Sequence, residues 1–217
     1  MPTPTIEEYL EAIYTMAGEG RVVIGARLAE SLAVSPPTVT STVQRMRRDG
    51  LVAVSGEKEI RLTEKGEQAV EQLLRRHRLA ERLLVDVLGL PWFDVHEDAC
   101  RLEHAISSRV EERLAAFLGE PGTCPHGNPI PGHTGSTSEI PLPEAQPQTN
   151  LVLRRVAKRA ESETGLLRYL DEHGLRPGVS LVIQEQAPFN GPVVVRTNGR
   201  DVALSREIAA LLYCEVS

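Results

Sequence analysis

Residues 35–63 read SPPTVTSTVQRMRRDGLVAVSGEKEIRLT, and this stretch decides the fold of the first part of the chain. Ser35 is a favourable N-cap, and Pro36 stands at the first helical position, where its missing N–H costs no hydrogen bond. Apolar residues recur at helical spacing over 39–46 and predict a helix that ends near Gly50. The opposite face of this helix is polar and basic, with Thr38, Ser41, Gln44, Arg45, Arg47 and Arg48.

Two short apolar runs follow at 51–54 and 60–62, on either side of a polar tip, and predict a β-hairpin. Two further helices are expected before this stretch, over 5–17 and 25–32. The order helix, helix, turn, helix, hairpin over residues 1–63 is that of a winged helix-turn-helix, whose third helix enters the DNA major groove. The alternative is a small helical bundle with an incidental hairpin. The quoted stretch holds five Lys or Arg against three Asp or Glu, which favours the DNA-binding interpretation.

The overall composition excludes several classes of protein. Of the 217 residues 41% are hydrophobic and 25% charged, and the apolar runs fall short of the about 18 to 20 residues that span a bilayer. No membrane association is expected. Three cysteines cannot form a closed disulfide framework, and the first residues resemble no targeting segment, so we expect a cytoplasmic location. The net charge of −6 confines any DNA contact to a small basic patch.

The rest of the chain divides by composition into three parts. In the part 64–135, residues 64–118 are expected to be helical in three segments, over 64–89, about 94–106 and about 108–118, and a Pro-rich turn follows them. Residues 136–149 form a linker. Residues 150–217 contain short β-like runs broken by turns, which predict a compact small β-barrel. The first helix of the middle part is long for a small domain, so we expect it to pack against a second copy of the chain.

Metal-ligating residue types lie on one face of the second helix of this middle part. His96, Cys100, Glu103 and His104 occupy positions i, i+4, i+7 and i+8, and the preceding helix carries His77 and Glu81 at i and i+4. Sets of Cys, His and Glu suit a first-row divalent metal. Each residue also has a structural interpretation, as a solvated side chain or a helix-surface ion pair, but their concentration in two adjacent helices favours metal.

The remaining cysteines and histidines carry less weight. Cys124-Pro-His126 lies in the Pro-rich turn and is interpreted as structural, and Cys214, His133 and His173 have no partners by spacing. A phosphate-binding loop, a nucleophile elbow and a His-Glu-x-x-His helix are all absent from the sequence, so an enzyme is not expected. Two alternatives stay open: a metalloenzyme that uses the His/Cys/Glu site, and a winged-helix regulator with a non-metal effector.

Six motifs, in one order along nearly the whole chain, resemble the diphtheria toxin repressor family of iron- and manganese-dependent transcriptional regulators. They are TIEEYL at 5–10, SPPTV at 35–39, RRDGL at 47–51, RRHRLAERLL at 75–84, CRLEH at 100–104 and GNPIPG at 127–132. The resemblance implies a mainly α fold: a winged helix-turn-helix domain over 1–63, a helical dimerisation and metal-binding domain over 64–135, a linker over 136–149 and an SH3-like β-barrel over 150–217. It also implies a homodimer that represses metal-uptake genes when metal is abundant.

The resemblance further implies two metal sites. Matched by position, one consists of Glu8, Cys100, Glu103 and His104, and the other of His77, Glu81 and His96, with Glu11 and Glu163 as further ligands. Glu8 is typical of manganese-type members and Cys100 of iron-type members. An oxygen-rich site favours Mn(II), with Fe(II) as the alternative. Glu8 also completes a capping box with Thr5, which is its structural interpretation.

DNA contacts are implied for the third helix and the hairpin. Ser35 and Pro37 match the family, whereas Ser41 stands where the family has a glutamine that can read bases. The candidate set is Arg27, Ser35, Pro37, Thr38, Ser41, Arg45, Arg47, Arg48 and Lys58. The expected partner is double-stranded operator DNA with half-sites about 34–36 Å apart.

Overall fold

The structure is a computed structural model and describes residues 4–18, 20–133 and 138–217. It contains two compact units, Met1–Arg76 and His77–Ser217, and the division falls within the helix Glu64–Arg82, whereas the sequence places a boundary after residue 63. Of the other two predicted boundaries, the one between 135 and 136 lies outside the described residues, and the one between 149 and 150 falls within the C-terminal sheet, which already includes Ile140–Pro141. Within the described ranges, no helix combines the length and the apolarity that a membrane crossing requires.

The first unit contains three helices and then a two-stranded antiparallel hairpin, in the predicted order. The elements are α1 (Pro4–Gly18), α2 (Gly25–Ser31), α3 (Pro36–Arg48), β1 (Val52–Val54) and β2 (Ile60–Leu62). The helix α4 (Glu64–Arg82) begins directly after the hairpin. Because α1 already begins at Pro4, Thr5 lies inside the helix and is not its N-cap, which corrects the sequence interpretation.

The start of α3 follows from its sequence. The Ser35 hydroxyl accepts a hydrogen bond from the Thr38 backbone N–H at 3.4 Å, which caps one of the unpaired amides of the first turn. The apolar stripe of α3 is buried together with side chains of α1 and α2, so this amphipathic face anchors the helix and leaves the other face exposed. The core residues of the three helices include Tyr9, Leu10, Ile13, Leu28, Val39, Val43 and Met46.

The helical part of the second unit follows from the end of α4. A π-helical turn, Leu83–Val87, continues α4, so the helix predicted to run to residue 89 changes its hydrogen-bond pattern near its end. Two shorter helices follow, α5 (His96–Glu103) and α6 (Ser108–Phe117), close to the predicted positions. The Ser107 hydroxyl caps α6 by accepting from the Val110 backbone N–H.

The C-terminal part of the second unit is a six-stranded antiparallel sheet, whose strand order does not confirm the predicted small β-barrel. The strands are β3 (Ile140–Pro141), β4 (Asn150–Val156), β5 (Ser180–Gln186), β6 (Val193–Thr197), β7 (Arg200–Leu204) and β8 (Leu212–Val216), with α7 (Leu166–Glu172) and α8 (Arg206–Ala209) between them. Their order is β3-β8-β4-β5-β6-β7, and within the described ranges β3 and β7 stay unpaired with each other. Strand β3 is two residues long, and Pro141 has no N–H with which to pair a further strand.

Candidate metal centre

Ligand-type side chains from four segments of the second unit meet in one place. The end of α4 supplies two of them, α5 supplies three, the Pro-rich turn supplies two, and a 3-10 helix at Lys158–Ser162 supplies one. The residues are His77, Glu81, His96, Cys100, Glu103, Cys124, His126 and Glu161.

His77 lies at the middle of the predicted ligands. Its Nε2 is 3.1 Å from Glu81 Oε1 and its Nδ1 is 2.6 Å from Glu103 Oε2. Burial and the charge of Lys158 oppose protonation of this imidazole, but Glu81 and the hydrogen bonds of Cys100 and Glu103 raise its pKa well above the ordinary value. The i, i+4 spacing in α4 accounts for the contact with Glu81. The contact with Glu103 cannot be predicted from spacing, because Glu103 lies on a different helix, α5.

The Cys100 thiol faces two imidazoles. Its Sγ is 3.7 Å from His96 Nε2 and 4.0 Å from His77 Nδ1. Burial raises the pKa of the thiol, but hydrogen bonds from the two histidines outweigh it and lower the pKa to about 7. Cys100 is therefore readily available as a thiolate, the form that binds metal.

A second group of ligands was not found from the sequence. The structure places Cys124 and His126, interpreted above as structural, beside the buried carboxylate of Glu81. His126 Nδ1 is 3.2 Å from Glu81 Oε1, 3.4 Å from Glu161 Oε1 and 3.8 Å from Cys124 Sγ. The Cys-x-His spacing was the signal available in the sequence, but Glu81 and Glu161 come next to it only in the fold.

The turn that carries Cys124 and His126 depends on Gly127. Its φ of +84° favours glycine, and a Cβ at this position would lie 2.0 Å from the carbonyl oxygen of Arg154. The close approach brings the turn against β4, where the Val156 N–H donates to the carbonyl of His126 at 2.8 Å. The backbone of β4 therefore fixes the position of His126 beside Glu81.

The polar groups of this cluster fit a divalent cation. The Glu81 side chain is 0% exposed, and among the described residues its Oε2 atom has no hydrogen-bond partner. Burial raises the pKa of Glu81, but His77 and His126 outweigh it and hold the pKa well below its ordinary value, so the carboxylate is charged. An unpaired oxygen of a buried carboxylate is costly. Nitrogen, sulfur and oxygen donors together are the ligands that first-row divalent metals take.

The cluster contains the carboxylate of Glu161, a near neighbour in sequence of the predicted ligand Glu163. Glu163 is exposed at the end of the 3-10 helix, whereas Glu161, two residues earlier, is buried with its Oε2 at 3.2 Å from His96 Nδ1. The tight 3-10 turn points Glu161 towards the cluster, and the sequence match did not resolve this register. The carboxylate that lies beside the cluster is therefore that of Glu161, whereas Glu163 faces solvent.

The other predicted ligands lie at the edge of the cluster or in the first unit. His104 caps the C-terminal end of α5, 30% exposed, with Nε2 at 3.6 Å from Glu103 Oε1. Glu8 and Glu11 lie on α1, where Glu8 is exposed and Glu11 partly buried. Their role as ligands stays a prediction from the sequence.

The predicted DNA-contact residues lie mainly on the exposed face of α3. One surface depression is lined by Ser41, Gln44, Arg45, Arg47 and Arg48. The exposed residues at the start of the helix are Ser35, Pro37 and Thr38. Lys58 is exposed at the tip of the hairpin. Arg27 differs, because it is partly buried and its guanidinium donates to the carbonyl of Val22.

Comparisons with known proteins decide the family. Residues 1–60 match the family model for the iron dependent repressor N-terminal DNA binding domain, 63–132 the iron dependent repressor metal binding and dimerisation domain, and 140–216 the FeoA domain. The iron-dependent repressor IdeR of Mycobacterium tuberculosis is 41% identical over 224 residues, which cover 97% of this chain and 96% of IdeR. The chain belongs to the diphtheria toxin repressor family.

Other members of the diphtheria toxin repressor family agree over the full length. The diphtheria toxin repressor of Corynebacterium glutamicum is 40% identical over 226 residues, covering 97% of this chain and 96% of that protein. A manganese-dependent transcriptional repressor solved in complex with manganese matches with a TM-score of 0.87 at 31% identity, over 98% of this chain and 100% of that one. The chain is thus a metal-dependent, DNA-binding transcriptional repressor and not an enzyme. Both iron and manganese appear among its relatives.

Proposed function

We propose that this protein is a homodimeric repressor that binds operator DNA when the buried cluster holds a divalent metal, with Mn(II) preferred over Fe(II). The observation that carries the proposal is the convergence of imidazole, thiol and carboxylate groups around Glu81, whose Oε2 is buried without a hydrogen-bond partner among the described residues. A bound cation supplies the positive charge that neutralises these carboxylates.

Two overlapping sets of residues would hold the metal. His77, Glu81, His96 and Glu161 offer donor atoms within 4.8 Å of one another, and so do Glu81, Cys124 and His126. Cys100 forms a further group with His77 and His96. The sequence resemblance adds Glu103, His104, Glu8 and Glu11 as proposed ligands of a neighbouring site.

The preference for Mn(II) rests on the oxygen donors. Glu81, Glu103 and Glu161 are carboxylates in or beside the cluster, and hard oxygen ligands suit Mn(II) better than softer sulfur sites do. Cys100 and Cys124 work in the opposite direction, because thiolates favour softer ions. Comparative titration of Mn(II) and Fe(II) under anaerobic conditions decides between the two.

The DNA-binding part of the proposal rests on the first unit. We infer that α3 is the recognition helix of a winged helix-turn-helix and that the hairpin β1–β2 is its wing, because α3 exposes a basic face and Lys58 is exposed at the hairpin tip. Arg45, Arg47 and Arg48 would contact phosphates, and Ser41 would face the base edges. The proposed DNA targets are operators near metal-uptake genes. The proposed location of the protein is the cytoplasm.

Fluorescence anisotropy with a duplex from the promoter of a metal-transport gene tests the proposal at fixed salt. We expect binding with Mn(II), no binding with chelator, and a need for much more Mn(II) in Glu81→Gln. Glu163→Gln is the matched control, since Glu163 is an exposed carboxylate near the cluster, and it should behave as wild type. Equal DNA binding with metal and with chelator would overturn the proposal and point to a non-metal effector.

A further inference from the structure

The ammonium group of Lys158 lies next to a carboxylate of the cluster, that of Glu161. Lys158 is the first residue of the 3-10 helix Lys158–Ser162, and its Nζ is 3.8 Å from Glu161 Oε2. The Lys158 side chain is 19% exposed, and the Nζ atom itself is buried. Because residues three apart overlap along a 3-10 helix, the positions of Lys158 and Glu161 bring their side chains together.

The charge of Lys158 reaches into the metal-binding group. Its partner Glu161 belongs to the group His77, Glu81, His96 and Glu161, whose donor atoms lie within 4.8 Å of one another. The positive charge of Lys158 works against protonation of His77 and helps to lower the pKa of Glu161, although burial of Glu161 works in the other direction. Lys158 therefore acts on two of the four ligands at once.

His96 is the most exposed of the four ligands, at 27% of its side chain, whereas the other three are at most 3% exposed. A cavity of about 630 Å³ is lined by His96 and Glu161 and by the acidic side chains of Asp94, Glu97 and Asp98. The cavity therefore borders this group at His96 and Glu161 and does not reach His77 or Glu81.

We propose that Lys158 is an internal cation that stands in for a metal ion at the group His77, Glu81, His96 and Glu161 and so weakens the binding of divalent metal there. The ammonium group neutralises part of the negative charge that would otherwise attract the ion, and a metal bound to Glu161 lies close to a like charge. Lys158 thus sets the metal concentration at which this group fills. The inference rests on the proposed function, because it assumes that the cluster binds metal.

Metal titration of the full chain tests the inference. Metal-free wild type, Lys158→Gln and Lys158→Arg are titrated with Mn(II), with free Mn(II) followed by electron paramagnetic resonance and bound ions counted by native mass spectrometry. We expect Lys158→Gln to bind Mn(II) about tenfold or more tightly at this group, because the net charge of the ligands sets the affinity of cation sites. We expect Lys158→Arg, which keeps the positive charge, to match wild type. Arg159→Gln is the matched control, because it removes an exposed positive charge from the same helix.

Thermal unfolding gives a second measurement that does not depend on DNA. Lys158→Gln leaves buried Glu161 without this ion pair, so the metal-free variant should unfold at a lower temperature than wild type, and added Mn(II) should restore it by a larger shift. Lys158→Met, which keeps the apolar stem, covers the case in which the glutamine variant folds poorly.

The outcomes separate this inference from the proposed function. If Glu81→Gln loses Mn(II) and Lys158→Gln gives the same titration curve as wild type, the inference fails and the proposed function stands. If wild type and Glu81→Gln bind Mn(II) identically, the cluster does not hold metal and both fail. A gain in affinity in Arg159→Gln equal to that in Lys158→Gln would also overturn the inference, because net charge alone would then explain it.

Discussion

His126 donates from Nε2 to the main-chain carbonyl of Trp92 at 2.9 Å, and its other ring nitrogen faces Glu81. A carbonyl oxygen can only accept, so the proton stays on Nε2 and Nδ1 is the nitrogen available for metal. Such a contact behind a ligand fixes both the tautomer and the ring orientation. The residue interpreted as structural from the sequence thus has the hydrogen bonding of a metal ligand.

Replacing His126 should weaken metal binding. In a Cys100→Ser background, Co(II) bound at Cys124 gives a thiolate charge-transfer absorption band, and we expect His126→Gln to weaken Co(II) affinity roughly 10- to 100-fold by this band. His133→Gln, at an exposed histidine of the same region, is the control and should titrate as the parent protein does. An unchanged affinity in His126→Gln would remove His126 from the ligand set.

The pH dependence of stability should also change with His126. Burial opposes protonation of this imidazole, but Cys124 and the carboxylates Glu81 and Glu161 raise its pKa from 6.5 to about 11 in the metal-free protein. A raised pKa contributes stability that is complete below 6.5 and is lost as the pH rises towards 11. The melting temperature of metal-free wild type should therefore fall more steeply over this range than that of His126→Gln, as calorimetry can measure. Parallel curves for the two proteins would contradict this assignment.

Cys100 should be the most reactive cysteine of the metal-free protein. Its pKa of about 7 predicts that the rate of alkylation by iodoacetamide rises with a midpoint near pH 7, because the thiolate is the nucleophile. Burial raises the pKa of Cys214 to about 12, and Cys124 is buried as well, so neither should compete. Mass spectrometry of the modified protein measures the rate. A midpoint near 9, the ordinary thiol value, would show that the two histidines do not activate Cys100.

Gly127 should be required for the turn at the metal centre. Gly127→Ala needs a side chain in a left-handed backbone conformation and 2.0 Å from the Arg154 carbonyl, so the turn must move. We expect a lower melting temperature and weaker metal binding. Gly122→Ala, in the same loop, meets nothing within 4 Å and should leave both unchanged. Equal effects of the two substitutions would show that the loop tolerates displacement at residue 127.

Arginines on α3 should contribute to DNA binding through phosphates. Arg47→Ala is expected to weaken operator binding for all sequences alike and to reduce the slope of log affinity against log salt by about one unit. Arg200→Ala, which removes an exposed charge from β7, serves as the control. Anisotropy titrations at several salt concentrations measure both effects. A salt slope that Arg47→Ala leaves unchanged would exclude a phosphate contact at this residue.

Local patterns predicted most elements of the fold. The Ser35-Pro36 start of α3 and the apolar runs that form β4 to β8 act through neighbours in sequence, and the structure confirms them. The predicted barrel is not confirmed, and the reason is non-local, since closure of a sheet depends on what its edge strands β3 and β7 contact. The two-residue edge strand β3, which contains Pro141, has no sequence pattern that would have predicted it as a strand.

The candidate metal centre was predicted only in part, because some of its contacts are local in sequence and others are not. His77 and Glu81 are one helical turn apart, so their pairing was visible in the sequence. Glu161 and His126 reach the cluster only through the packing of the sheet against the helices, and the register of the 3-10 helix decides between Glu161 and Glu163. Spacing alone carries no information about either.

The oxygen Oε1 of Glu81 faces both His77 and His126, at 3.1 Å and 3.2 Å. The two proposed ligand sets therefore both include the Glu81 carboxylate, and under the proposed function we expect that added ions would not fill them independently. A binding curve fitted with two independent dissociation constants would assign one constant to each ligand set, although each constant would reflect both sets together. If both sets hold an ion, a titration with Glu81 intact would report one coupled equilibrium, because the first ion would change the charge and orientation of the carboxylate that the second meets.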